Sequence, residues 1–135
     1  MIQLSTAVRN ARANQIEIVA GASPILRIRT GAPPLRCNSA NTGTVLATVV
    51  LPANWMTDAV DGVKQIAGGP WQDVAADATG TAGHFRLYDS TGTTCHAQGV
   101  VTGPNGGGDL VVSTAAFAAG VLFSVLSFTL TEANA

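Results

Sequence analysis

Charge is scarce in this chain: seven Lys and Arg and eight Asp and Glu among 135 residues, 11% of the total with a formal net charge of -1. Soluble domains carry about 25%. The few basic residues are scattered and leave no field to gather a polyanion, so nucleic-acid binding is not expected. Lysine occurs once, at Lys64, which excludes a polybasic membrane patch. Aromatics make up 5%, and one Tyr with two Trp offers little for an exposed carbohydrate platform. The two cysteines, Cys37 and Cys95, are too few for a disulfide framework and have no CxxC spacing. The longest apolar stretch, 115–130, is broken by Gly120, Ser124, Ser127 and Thr129. It falls short of the ~20 residues that span a bilayer, so no transmembrane segment is expected. The first ten residues lack the basic start and apolar run of a secretion signal.

What the chain has is apolar residues (47%), fifteen Gly and six Pro. A chain of this size buries roughly two-thirds of its extended surface, which supports a single domain over residues 1–135 with its own core. Isolated monomers normally keep soluble through charge. A sparsely charged surface therefore implies a chain packed against other protein.

Residues 5–19 read as a helix. Ser5 is placed to cap its start, and Gly21 followed by Pro24 suits its end. Leu4, Val8, Ala11, Gln15 and Ile18 form its apolar stripe. Such a helix either lies across the end of a sheet or forms an arm, residues 1–22, that docks on a neighbouring subunit. After Pro24 the period becomes alternating: Leu26, Ile28 and Thr30 share one face of a strand, Arg27 and Arg29 the other. The Pro- and Asn-rich stretch 31–43 is a loop, and the β-branched run 44–51 reads as a central strand covered on both faces. Residues 52–70 form a long loop, followed by a short strand at 71–76.

Residues 83–89 and 93–101 form a hairpin pair around Ser90, Thr91 and Gly92, a three-residue loop with Gly in its left-handed position. This pairs Leu87 with Cys95 and Phe85 with Ala97. His84, Arg86, Tyr88, His96 and Gln98 then project to the other, solvent- or partner-facing side. A Gly-rich hairpin turn, 103–108, leads into a strand at 109–113. In the last strand, 121–131, the apolar phase slips near Ser127, which predicts a bulge there or burial on both sides. Six or seven short strands with Gly-rich turns define the expected fold class: mainly β, an antiparallel two-sheet sandwich (jelly-roll or Ig-like) over 23–135 behind an N-terminal helix.

No catalytic constellation is visible. Cys95 and His96 are strand neighbours on opposite faces and cannot act as a dyad, and no GxSxG, HExxH or paired-carboxylate pattern occurs. The chain reads as a non-enzyme. His84 and His96 come out as diagonal neighbours about 7 Å apart, too loose for zinc with Cys95 pointing away. No metal or cofactor is expected. The 103–108 turn lacks the Lys-Ser/Thr and helix start of a phosphate loop. Cys37 and Cys95 either form a disulfide that pins the first loop to the sheet or stay ordinary thiols, with Cys95 an inward-facing small hydrophobe. Ile2, Leu4 and Val8 in the arm, with Trp55, Met56 and Trp71 bracketing the long loop, are the candidate interface residues. Core burial is the alternative for the tryptophans.

Four strings, ILRIRTGAPP (25–34), GTVLAT (43–48) running into Leu51-Pro52, GTAGHFRLYD (80–89) and SFTLT (127–131), resemble small virion proteins of tailed bacteriophages. The resemblance spans roughly residues 1–131 and rests on strand and turn patterns. It implies a non-enzymatic structural component, made in the host bacterial cytoplasm and incorporated into the virion. The first expectation is a capsid decoration or cement protein, a symmetric oligomer contacting the major capsid protein. The second is a tail or tail-fibre attachment component among other tail proteins, with the Gly-rich tip facing outward.

Overall fold

The computed structural model describes residues 1–133. The fold is mainly β with one N-terminal helix. Helix α1 (Thr6–Ala20) starts where the Ser5 hydroxyl accepts from the Val8 amide at 3.3 Å. It ends where Gly21, at φ 80°, turns its N–H to the Glu17 carbonyl.

Its buried face differs from the expected stripe. Ala13 and Ala20 are buried and Ile16 packs on the core, whereas Val8, Ile18 and Val19 are exposed. The reason is polar anchoring. The Asn10 side chain accepts from the Gly62 amide at 2.7 Å, and that of Asn14 accepts from the Ala59 amide at 3.0 Å and from Lys64 Nζ at 2.8 Å. Lys64 is buried and also pairs with Glu17. These bonds turn the asparagine side of the helix inward.

The strands are β1 (Ile25–Thr30), β2 (Val45–Val50), β3 (Val63–Gln65), β4 (Gln72–Asp73), β5 (Gly80–Tyr88), β6 (Cys95–Thr102), β7 (Leu110–Val112), β8 (Ala116–Phe117) and β9 (Phe123–Thr131). They pair in the order β2-β1-β5-β6-β7-β9-β3, with β4 added to β9 and β8 to β5. This one path curls on itself. Phe85 of β5 and Phe128 of β9 meet edge to face at 5.6 Å although two strands separate them along the sheet. Leu26, Ile28, Leu46, Leu87, Leu110, Val112 and Phe123 fill the concave side with them.

Three strand expectations are corrected. The sheet is mixed, because β7 runs parallel to β6, with Val101 beside Leu110. Parallel neighbours usually need a crossover of a dozen residues or more. Here 103–109 returns the chain instead, because Gly106 and Gly108 lie so close to Thr102 that a Cβ at either would collide with it. Secondly, β2 stands at the end of the path and is not central. Its outer edge is covered locally: the Leu46 carbonyl accepts from the Asp77 amide at 2.7 Å, and the Asp73 carboxylate from the Thr48 amide at 3.4 Å.

Thirdly, the β5–β6 hairpin pairs Tyr88 with Cys95, Leu87 with Ala97 and Phe85 with Gly99. The Asp89 carboxylate accepts from the Thr91 hydroxyl and the Thr93 amide, and the Asp89 amide donates to the Thr94 carbonyl. Thr93 is thus drawn into the loop, and His96 is left as the extra residue of a bulge. The bulge expected in the last strand is present: Val111 faces Ser127 and Val112 faces Val125, skipping Leu126.

Candidate interaction surface

The convex face of the sheet has two unlike halves. Over β1, β5 and β6, the outward positions carry Arg27, Arg29, His84, Arg86, Tyr88 and Gln98. None of the Arg29, His84, Arg86 and Tyr88 side chains is exposed, which corrects the expectation of a solvent- or partner-facing hairpin side. Residues 31–43 lie across this face as a strap. Arg86 donates to the Ser39 carbonyl at 3.1 Å, to Asn41 Oδ1 at 2.7 Å and to the Cys37 carbonyl. Tyr88 Oη donates to Asn41 Oδ1 at 2.5 Å, Gln98 Nε2 to the Pro34 carbonyl at 2.6 Å, and Arg29 to the Gly43 carbonyl at 3.4 Å. His84 Nδ1 lies 2.8 Å from the Gly31 carbonyl. Arginine suits this task because its fork of five donors serves several loop carbonyls together.

Among the described residues, the second half, over β7, β9 and β3, has no such cover. Leu126, Ser127, Thr129 and Gln65 are exposed there, and no ionic side chain lies between Asp109 and Thr131. Leu126 is 52% exposed and Leu122, just before β9, 50%. The β9 bulge lifts Leu126 out of the inward row while keeping Val125 and Phe128 in it.

The interface residues expected from sequence divide accordingly. Ile2 is 82% exposed, Val8 is exposed and Leu4 is half-buried. Trp55, Met56 and Trp71 belong to the core instead, which corrects their assignment to an interface. Trp55 is fully buried, its Nε1 donates to the Gly21 carbonyl at 3.1 Å, and its ring lies 6.0 Å from that of Trp71. The stretch between them folds inward because β3 pairs with β9 and Met56 bridges to Ile66. The sequence does not single out Leu122 and Leu126 as exposed apolar residues; the slip of apolar phase near Ser127 is the signal for Leu126.

Beside α1 runs a groove of about 370 Å³, bounded by Ile16, Val19, His96, Ala97 and Leu130. An Arg12–Glu132 ion pair at 3.4 Å stands at its rim. Its mouth joins the exposed Val19 of the helix, so helix and groove present apolar surface together. The two histidines are not neighbours on one face as expected: the hairpin bulge sends His96 to this groove while His84 stays under the strap.

Both cysteines are free thiols and partly buried. Cys95 lies on the convex side beside Tyr88, not inward, because the register differs from the expected one. Arg86 Nε donates to its sulfur at 3.3 Å. Burial first, then the neighbouring Cys95, pushes the Cys37 thiol up to about 11. The Thr91 hydroxyl and the Thr93 amide hold the Asp89 carboxyl below its ordinary value. Among the described residues, no three His, Cys, Asp or Glu side chains stand close enough to hold a metal ion, and no helix is long and apolar enough to cross a membrane.

Comparison of the chain with protein-family models, with curated proteins and with solved structures finds no match.

Proposed function

We propose that this chain is a non-enzymatic structural protein of a tailed-phage virion, a decoration or cement protein that binds the major capsid protein as a homo-oligomer. One observation carries the reading. A chain with 11% charge leaves Leu122 and Leu126 exposed within the uncharged stretch 110–130, and Ile2, Val8, Ile18 and Val19 exposed on its helical arm. Large apolar side chains grouped away from charge mark surfaces that meet other protein. The strand-and-turn likeness to virion proteins supplies the kind of partner.

The curl itself we read as a two-layer sandwich of jelly-roll or immunoglobulin-like kind. The Phe85–Phe128 contact between distant strands supports two layers facing each other across one core.

Purified virions test the assignment. Densitometry giving hundreds of copies per particle supports the shell, and copies in the tens move the protein to the tail. Capsids stripped of the protein should rebind the wild type, and Leu122→Glu with Leu126→Glu should weaken that rebinding at least tenfold. A doubly substituted protein that folds and rebinds like wild type would refute the assigned surface. Hydrolysis of a glycan or peptidoglycan substrate by the isolated protein would refute the non-enzymatic reading.

A further inference from the structure

Residues distant in sequence meet under the strap, and the chain's two cysteines are among them. Cys37 and Cys95 line one cleft of about 310 Å³ together with Asn41 and Arg86. Cys95 is near enough that it helps to raise the Cys37 thiol. A single guanidinium, that of Arg86, holds both residues: its Nε donates to the Cys95 sulfur at 3.3 Å and a terminal nitrogen donates to the Cys37 carbonyl. Arg86 is itself buried and tied to Ser39 and Asn41, so one network holds the Cys95 sulfur and the Cys37 backbone.

We propose that Cys37 and Cys95 are a reversible dithiol–disulfide site, oxidised by a small-molecule disulfide such as glutathione disulfide, that staples the strap to β6. Arg86 Nε already donates to the Cys95 sulfur at 3.3 Å, so Cys95 attacks first. Its sulfur bonds to one glutathione sulfur, the S–S bond of the oxidant breaks, and one glutathione leaves. The Cys37 sulfur then displaces the second glutathione, and the Cys37–Cys95 bond forms. Both thiol protons end on the two glutathione molecules released, and the dithiol has lost two electrons to the oxidant.

The consequence is conditional fastening. In reducing surroundings the strap is held by hydrogen bonds alone; in oxidising ones a covalent bond closes a loop of about 60 residues. Nothing in this chemistry depends on what the exposed apolar side chains bind.

The full chain, folded and dilute, is equilibrated in buffers of rising glutathione disulfide to glutathione ratio, then measured by intact mass, thiol count in denaturant and unreduced peptide mapping. The expected product is a monomer lighter by two hydrogens, with the peptides of Cys37 and Cys95 joined. Its Tm should rise by about 5 to 15 °C and fall back on reduction. Cys37→Ser should stop at a glutathione adduct on Cys95. Retention of both thiols at ratios that oxidise exposed dithiols would overturn the site, as would separate adducts on both cysteines or disulfide-linked dimers. An inert Cys95 in folded Cys37→Ser protein would overturn the order of attack.

Discussion

The two halves of the convex face are built from the same strand geometry and end in opposite states. Over β1 and β5 the outward Arg29, His84, Arg86 and Tyr88 are charged or polar, yet they are buried; on β9 Leu126, Ser127 and Thr129 are uncharged, yet they stay open. Polarity of the side chain therefore does not decide exposure in this fold. Cover does. Buried polar groups are tolerable when they meet partners, and the strap supplies carbonyls at 37, 39, 34 and 43 to Arg86, Gln98 and one Arg29 nitrogen, while Arg29 Nε, His84 Nε2 and Gln98 Oε1 find none among the described residues. The other half has no strap and few donors that would need one, so its apolar side chains remain available to a second molecule.

The comparison breaks most directly at Arg86. Arg86→Ala deletes one buried donor set and leaves the strap carbonyls and Asn41 without it, so chemical denaturation should show a loss of about 3 kcal/mol. Limited proteolysis should then cut within 31–43 faster than in the wild type. A wild-type-like stability would mean the strap is held by something else.

Gly106→Ala tests the boundary between the halves. Its Cβ would overlap Thr102, so the return that brings β7 alongside β6 must shift, with a loss of about 2 kcal/mol in the same denaturation measurement. Equal stability would show the return to be looser than its contacts indicate.

A smaller effect is expected at Asp89. Its folded-state carboxyl lies below the ordinary value, so its contribution is full above that ordinary value and disappears as pH falls through the folded one. Asp89→Ala should therefore lower Tm at neutral pH, and the gap from wild type should close in acid. A gap independent of pH would remove the carboxylate from the account. The least change in folding belongs to the open half: Leu126→Ser should stay within about 0.5 kcal/mol of wild type, since its side chain meets water in the isolated protein. A large loss would show that Leu126 is packed after all.

What sequence could disclose follows the range of the interaction. The Ser5 and Gly21 ends of the helix, the alternation of Leu26 and Ile28 against Arg27 and Arg29, and the phase slip at Ser127 depend on residues a few positions apart, and all are present as read. The hairpin register went astray by a local competitor, because the Asp89 carboxylate draws Thr93 into the loop. The helix face went astray because Asn10, Asn14 and Glu17 find partners near Gly62 and Lys64, about fifty positions away. Burial of His84 and Arg86 depends on a strap that sequence marks only as loop. Of the candidate surface, the arm was legible; Leu122 and Leu126 needed the sheet order to show which half goes uncovered.

The underside of α1 has a consequence for motion. The helix buries Ala13 and Ala20, packs Ile16 on the core, and is otherwise fastened by polar bonds to 59, 61, 62, 64 and 132, so little apolar area resists its departure while the curled sheet keeps its own core. Local opening follows contact density. The helix should thus open before the sheet, and hydrogen exchange should find its amide protons lost to solvent ahead of those of β1 and β5.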